Sequence, residues 1–169
     1  MDRWAGDLYG DPCRECGFRF STGFDDSLEY VLDVPRRYSD LLSGASGHEQ
    51  HPDLSWSAGS YVCHVADNLR IWAERLAGSA RGARGVGAYD ENLLAAARSY
   101  SDIPLVASLW SLGRSTDDYR DAASQVIPGD IALIHPERGE MLLVDVVRAN
   151  AHDAFHHAWD LNRILASSS

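Results

Sequence analysis

Residues 142–165 read Leu142-Leu-Val-Asp-Val-Val-Arg-Ala-Asn-Ala-His-Asp-Ala-Phe-His-His-Ala-Trp-Asp-Leu-Asn-Arg-Ile-Leu165. Stepping at about 100° per residue, Val146, Val147, Asn150, Ala154, Ala158, Leu161, Ile164 and Leu165 fall within about 60° of Leu143. That stripe marks an amphipathic helix and its core face. Two ligand pairs at i, i+4 spacing overlap on it, His152 with His156 and Asp153 with His157. Either pair can grip a divalent metal, because residues four apart share one helical face. His157 lies about 40° from the stripe's centre and Asp153 about 80°, whereas His152 and His156 lie about 140–180° away, beside Asp145, Arg148 and Arg163. The wheel therefore turns Asp153 and His157 inward and the other two histidines toward solvent, with helix-phase drift keeping the latter as a second choice.

Working outward, the same patterning marks three more long helices. Asp25 and Asp26 offer an N-cap to a helix from about Ser27 to Leu42, ended by Ser43-Gly44, with a kink or break expected at Pro35. A polar loop leads to a second helix, about Ser55 to Leu76. A Gly/Arg/Ala loop and a short helical segment, about Tyr89 to Tyr100, precede a third, about Pro104 to Ala123. Residues 131–142 read as a short apolar extension and turn or as a small hairpin. Four long amphipathic segments with little strand content predict an all-α fold, an antiparallel four-helix bundle over residues 25–169. Residues 1–24 form an irregular N-terminal extension rich in glycine and aromatics (Trp4, Tyr9, Phe18, Phe20, Phe24).

Composition narrows the function classes. The chain has 169 residues and a formal net charge of −10, with 45% hydrophobic residues. It is long enough for one domain with a real core. The acidic balance argues against nucleic-acid binding, which needs clustered Lys and Arg. No run of about 18 apolar residues predicts a membrane span. The acidic, polar start lacks the apolar core of a signal peptide, so a cytoplasmic location is expected. Three cysteines, Cys13, Cys16 and Cys63, point to metal ligation, redox chemistry or plain burial before a disulfide framework.

An inward histidine alone is usually a satisfied core residue. An inward carboxylate four residues before it is rarer, since a buried Asp is costly unless it is paired, hydrogen-bonded or bound to a cation. The pair thus marks a metal or ion-pair site. His64, on the second helix in Tyr61-Val-Cys-His-Val-Ala-Asp67, offers a further ligand. Cys63 points about 100° away from it and reads as a small core residue.

A tryptophan (Trp56) soon after a Pro-containing loop, then His64-Val-Ala-Asp67 and an aromatic-rich helical tail, resembles the second helix of the DinB-like bundles. His157-Ala-Trp-Asp-Leu161 in the last helix is similar to the corresponding motif of the N-terminal domain of mycothiol-dependent maleylpyruvate isomerases. The resemblance covers about Ser27 to Leu165 and rests on these two short motifs. It implies a bundle holding one divalent metal, zinc or nickel, through His64, Asp153 and His157, with a low-molecular-weight thiol such as mycothiol as co-substrate. Imidazoles and one carboxylate leave coordination positions open, where a thiol or water is activated. Asp160 is then a support for a ligand or a catalytic general base, and Asp67 a surface or supporting residue. Asp153 stands where the isomerases carry Glu. The isomerases also have a further C-terminal domain and this chain stops at Ser169, so maleylpyruvate is not expected as substrate.

Cys13-Arg-Glu-Cys16-Gly has the shape of a zinc knuckle, in which glycine lets backbone N–H groups approach the sulfurs. It lacks a second Cys-x-x-Cys. The cysteines complete a metal site with bundle histidines such as His64 and His157, form a redox pair, or are incidental. The absence of a thioredoxin-like βαβ pattern favours metal over redox. Two functions follow as expectations. One is a metal-dependent, thiol-dependent transferase, lyase or isomerase acting on a small-molecule substrate, as a monomer or homodimer. The other is a non-catalytic zinc-stabilised bundle, its metal saturated by Cys13 and Cys16, that binds a ligand or partner.

Overall fold

The computed structural model describes residues 5–126 and 131–167; Trp4 lies outside them. The fold is mostly helical with a small two-stranded sheet. In chain order the elements are α1 (Ala5–Tyr9), α2 (Phe24–Leu41), α3 (Ala58–Ser79), α4 (Glu91–Ala97), a 3₁₀ turn (Tyr100–Asp102), α5 (Leu105–Ala123), β1 (Ile131–His135), β2 (Gly139–Leu142) and α6 (Leu143–Ser167). Among the long helices, α3 packs on α5, α5 on α2, α2 on α6, and α6 on α3. No helix among the described residues is long and apolar enough to cross a membrane.

The N-cap expected for α2 is corrected, and of the kink or break expected at Pro35 the break does not occur. The N-cap is Gly23, in an extended conformation, and Asp25 and Asp26 sit inside the first turn. There their carboxylates meet the positive end of the helix dipole rather than capping it. The helix also runs on through Pro35. Proline removes one ladder hydrogen bond, but Val31, Val34 and Tyr38 are all buried on one face of the helix. The Tyr38 hydroxyl donates to the Ala154 carbonyl at 2.8 Å, which fastens α2 to α6.

In α3, Ser57 caps the first turn by accepting from the Ser60 N–H. Every residue from Ala58 to Leu69 is buried, as expected of a helix surrounded on all sides. Close approach at its start depends on Gly59, whose N–H donates to the Gly47 carbonyl at 2.8 Å. A Cβ at Gly59 would meet that oxygen at 3.0 Å.

Residues 131–142 form a hairpin, the second of the two readings of this segment. β1 and β2 are antiparallel, with His135 opposite Gly139 at the turn and a register irregularity between Ile131 and Leu133. Gly139 has φ +71°, a conformation that glycine adopts without a Cβ clash. Ala132, Leu133 and Met141 are buried, and the Ser79 hydroxyl donates to the Ala132 carbonyl at 2.5 Å, tying the hairpin to α3.

The buried positions of α6 include the expected Leu143, Val146, Val147, Asn150, Ala154, Leu161 and Ile164. Ala149, Ala151, His152 and Asp160 are buried as well. The arc is wider than the wheel allows because residues 5–20 fold across a second side of the helix. Phe18 and Phe20 belong to the main core, and their rings pack against His152 with centroids 5.5 and 4.7 Å away. Cys13, Phe18 and Phe20 of the N-terminal extension are part of the buried core.

Candidate metal centre

His64 of α3 and Asp153 and His157 of α6 converge. Their ligand atoms lie within 4.8 Å of one another. His64 Nε2 stands 3.6 Å from Asp153 Oδ1, and His157 Nε2 stands 3.7 Å from the same oxygen. The two imidazoles meet edge to face, with centroids 4.9 Å apart and planes at 89°. The sequence makes this possible twice over. Residues four apart on α6 present Asp153 and His157 together, and His64 and Asn68, four apart on α3, both meet Asp153.

Each ligand is held from behind. Asn68, one turn after His64, donates its amide to Asp153 Oδ2 at 2.9 Å and to Asn150 Oδ1 at 3.1 Å, and accepts from the Tyr89 hydroxyl at 2.9 Å. Asp160 Oδ2 lies 3.0 Å from His157 Nδ1, leaving Nε2 to face Asp153. His64 rests against Trp56, with ring centroids 5.1 Å apart. The amide behind Asp153 and the carboxylate behind His157 fix the orientation of those two side chains and, for His157, its tautomer; His64 has an aromatic wall in place of a polar support.

The charges reinforce one another. Burial works to raise the Asp153 pKa, but contact with His64 and the positive charge of His157 and His64 win, holding it well below the usual carboxylate range. His64 shows the mirror effect: burial pulls its pKa down, and contact with Asp153 reverses this and raises it above the ordinary value. An anionic carboxylate oxygen flanked by the Nε2 atoms of two imidazoles is a group that could hold a metal ion.

The triad lies in the wall of an open cleft of about 350 Å³. Trp72 and Arg75 of α3, Tyr89 and Glu91 before and within α4, and His135 and Arg138 of the hairpin line one part of the wall, and Glu15, His152 and His156 line another. The Arg75 guanidinium lies over the Trp72 ring at 4.6 Å, and the His135 ring stacks with Trp72 at a centroid distance of 6.1 Å. Burial, then the charges of Arg138 and Arg75, lowers the His135 pKa. None of the residues in the first part stood out in the sequence. In the sequence Tyr89 only opens a short helical segment and Arg75 carries no signal, because the loop and hairpin that make them a wall are distant in sequence.

The other expected site residues divide. Asp160 is buried behind His157 and is not among the residues that line the cleft. Asp67 is buried, not on the surface: its carboxylate takes the Tyr100 hydroxyl at 2.6 Å and pairs with Arg98 and Arg70, binding the segment after α4 to α3. Cys63 is buried beside Ser108 Oγ at 3.0 Å, as a small core residue. Cys13 and Cys16 do not join His64 and His157. They gather with His152 and His156, all four ligand atoms lying within 4.8 Å of one another. This corrects two expectations at once, the partners of the cysteines and the solvent-facing placement of His152 and His156. His152 is only 6% exposed.

No protein-family model matches the chain, and no curated protein or solved structure matches it.

Proposed function

We propose that the chain is a metal-dependent enzyme of the DinB-like class, a four-helix bundle whose His64, Asp153 and His157 hold one divalent cation, zinc or nickel. The single observation that carries this reading is the convergence of those three side chains, from two helices, on the wall of an open cleft. Three protein ligands are the number that a catalytic zinc site uses, with a further position left for water or substrate. A cation bound there would supply Lewis-acid activation of a thiol or water for transfer, lyase or isomerase chemistry.

The chain's own residues would do the rest. Asn68 and Asp160 orient Asp153 and His157, so that their donor atoms stay directed into the site. Arg75 and Arg138 share the cleft wall with Glu15, Glu91 and Glu137, so the wall offers a small molecule both positive and negative groups. A cleft of about 350 Å³ suits a small molecule and falls within the range of ordinary ligand pockets. Cys13 and Cys16 lie with the other histidine pair, which leaves the triad open as catalysis requires.

Metal analysis of the purified protein tests the reading. His157→Ala should remove one equivalent of metal, and unchanged metal content would sink it. A small thiol added to the cobalt-substituted protein should strengthen sulfur-to-cobalt charge-transfer absorption. A spectrum that ignores the thiol would argue for a closed, non-catalytic centre.

A further inference from the structure

We infer that Cys13, Cys16, His152 and His156 form a second, structural metal centre that binds zinc and staples the N-terminal segment to α6. This site is separate from the His64–Asp153–His157 triad and does not depend on the function proposed for it.

Four donors of two kinds come from two distant parts of the chain. Cys13 and Cys16 sit in a tight turn after α1, where the Cys13 N–H donates to the Phe18 carbonyl at 2.7 Å and the Gly17 N–H donates to the Cys13 carbonyl at 3.0 Å. Gly17 has φ +80°, which a β-carbon would strain. This is how a Cys-x-x-Cys-Gly knuckle turns both sulfurs to one side. His152 and His156, four apart on α6, present their rings together. The four ligand atoms lie within 4.8 Å of one another. A tetrahedral zinc with ordinary Zn–S and Zn–N bonds has ligand-to-ligand edges of roughly 3.3–3.8 Å, so closure needs only a small inward movement.

Independent observations point to a ligand. His152 Nε2 and His156 Nδ1 are buried without a hydrogen-bond partner. Buried ring nitrogens are seldom left so, and a cation would engage both lone pairs. His156 Nε2, on the far side of its ring, faces Glu15 Oε2 at 3.4 Å, the carboxylate support that metal-ligating imidazoles commonly have. Tyr9, Phe18 and Phe20 surround His152 with ring centroids 4.8, 5.5 and 4.7 Å away, which shields that side of the site. Two sulfurs and two imidazoles in a tetrahedral array select zinc, and four protein ligands leave no open position. The centre therefore holds structure together and does no chemistry.

The two sites interleave on one helix, residues 152 and 156 on one side and 153 and 157 on the other. Zinc at the first would hold α1 and the Cys13–Phe20 turn against α6 and fix the helix face that carries Asp153 and His157.

The full chain, purified after expression with zinc, tests this by metal analysis. Two equivalents are expected, falling to one in Cys13→Ser/Cys16→Ser and to one, of the other kind, in His157→Ala. The cobalt-substituted parent should show sulfur-to-cobalt charge transfer without added thiol, and the double serine variant should lose it. Should that variant fail to fold, alkylation of the unaltered protein decides: Cys16 should resist until a chelator strips the metal, then react. Alkylation at one rate with and without chelator, no thiolate band in the cobalt protein, or a Cys13–Cys16 disulfide would each overturn the inference. Loss of the triad's equivalent with the thiolate band intact would count against the proposed function alone.

Discussion

Asp160→Ala isolates the support behind His157. The carboxylate is 4% exposed and its Oδ2 lies 3.0 Å from His157 Nδ1. The same oxygen is 3.9 Å from His156 Nε2, and Oδ1 is 3.5 Å from Arg163, so part of its charge is shared. Removing a partner of this kind lowers metal affinity by about 10–100-fold, or about 1.4–2.8 kcal/mol. The short contact and low exposure favour the upper half of that range, and the sharing with Arg163 the lower half, so about 30-fold is expected. Asp160→Asn should restore part of the loss, because an amide oxygen can still accept from Nδ1–H but carries no charge. The assay is competition of metal-free protein against a chromophoric chelator. The weaker of two binding steps belongs to the triad, which has no thiolate. Circular dichroism of the metal-free variant checks that the fold persists. A weaker step changed by less than about twofold would refute the reasoning, and would mean that packing alone orients His157.

Two further outcomes follow from buried charges. Asp67→Ala removes the carboxylate that holds the Tyr100 hydroxyl, Arg98 and Arg70; urea unfolding should show a loss of about 2–3 kcal/mol, and proteolysis should open residues 88–103 first. In the metal-free protein, burial and then the charge of His156 push the His152 pKa down to about 4 from 6.5. The folded state then binds fewer protons than the unfolded one, so stability falls as pH drops through this window and levels off below it. The change is about 3 kcal/mol in all, read from denaturation midpoints against pH, and His152→Asn should flatten it.

Most of the helices were legible because amphipathic periodicity is local. Expected bounds for the long helices fall within a few residues of those observed, and Asp153 and His157 turned inward on helix phase alone. The helix does not break at Pro35, because a proline's cost is local while the burial of Val31, Val34 and Tyr38 is not. His64 was legible as a further ligand on another helix, and a resemblance to a family joined it to Asp153 and His157. Asn68, Trp72, Arg75 and His135 left no signal, since their roles arise from neighbours far along the chain.

The last helix shows the division most clearly. Its sequence alone determined that two i, i+4 ligand pairs lie side by side, and that one of them faces the other long helices. A helical wheel assumes one buried face and sends the remaining pair to solvent. Tertiary structure decided otherwise. The segment after α1 crosses α6 and buries His152, and with it Cys13 and Cys16 find their partners. Periodicity records how a helix alternates, but not how many surfaces come to cover it.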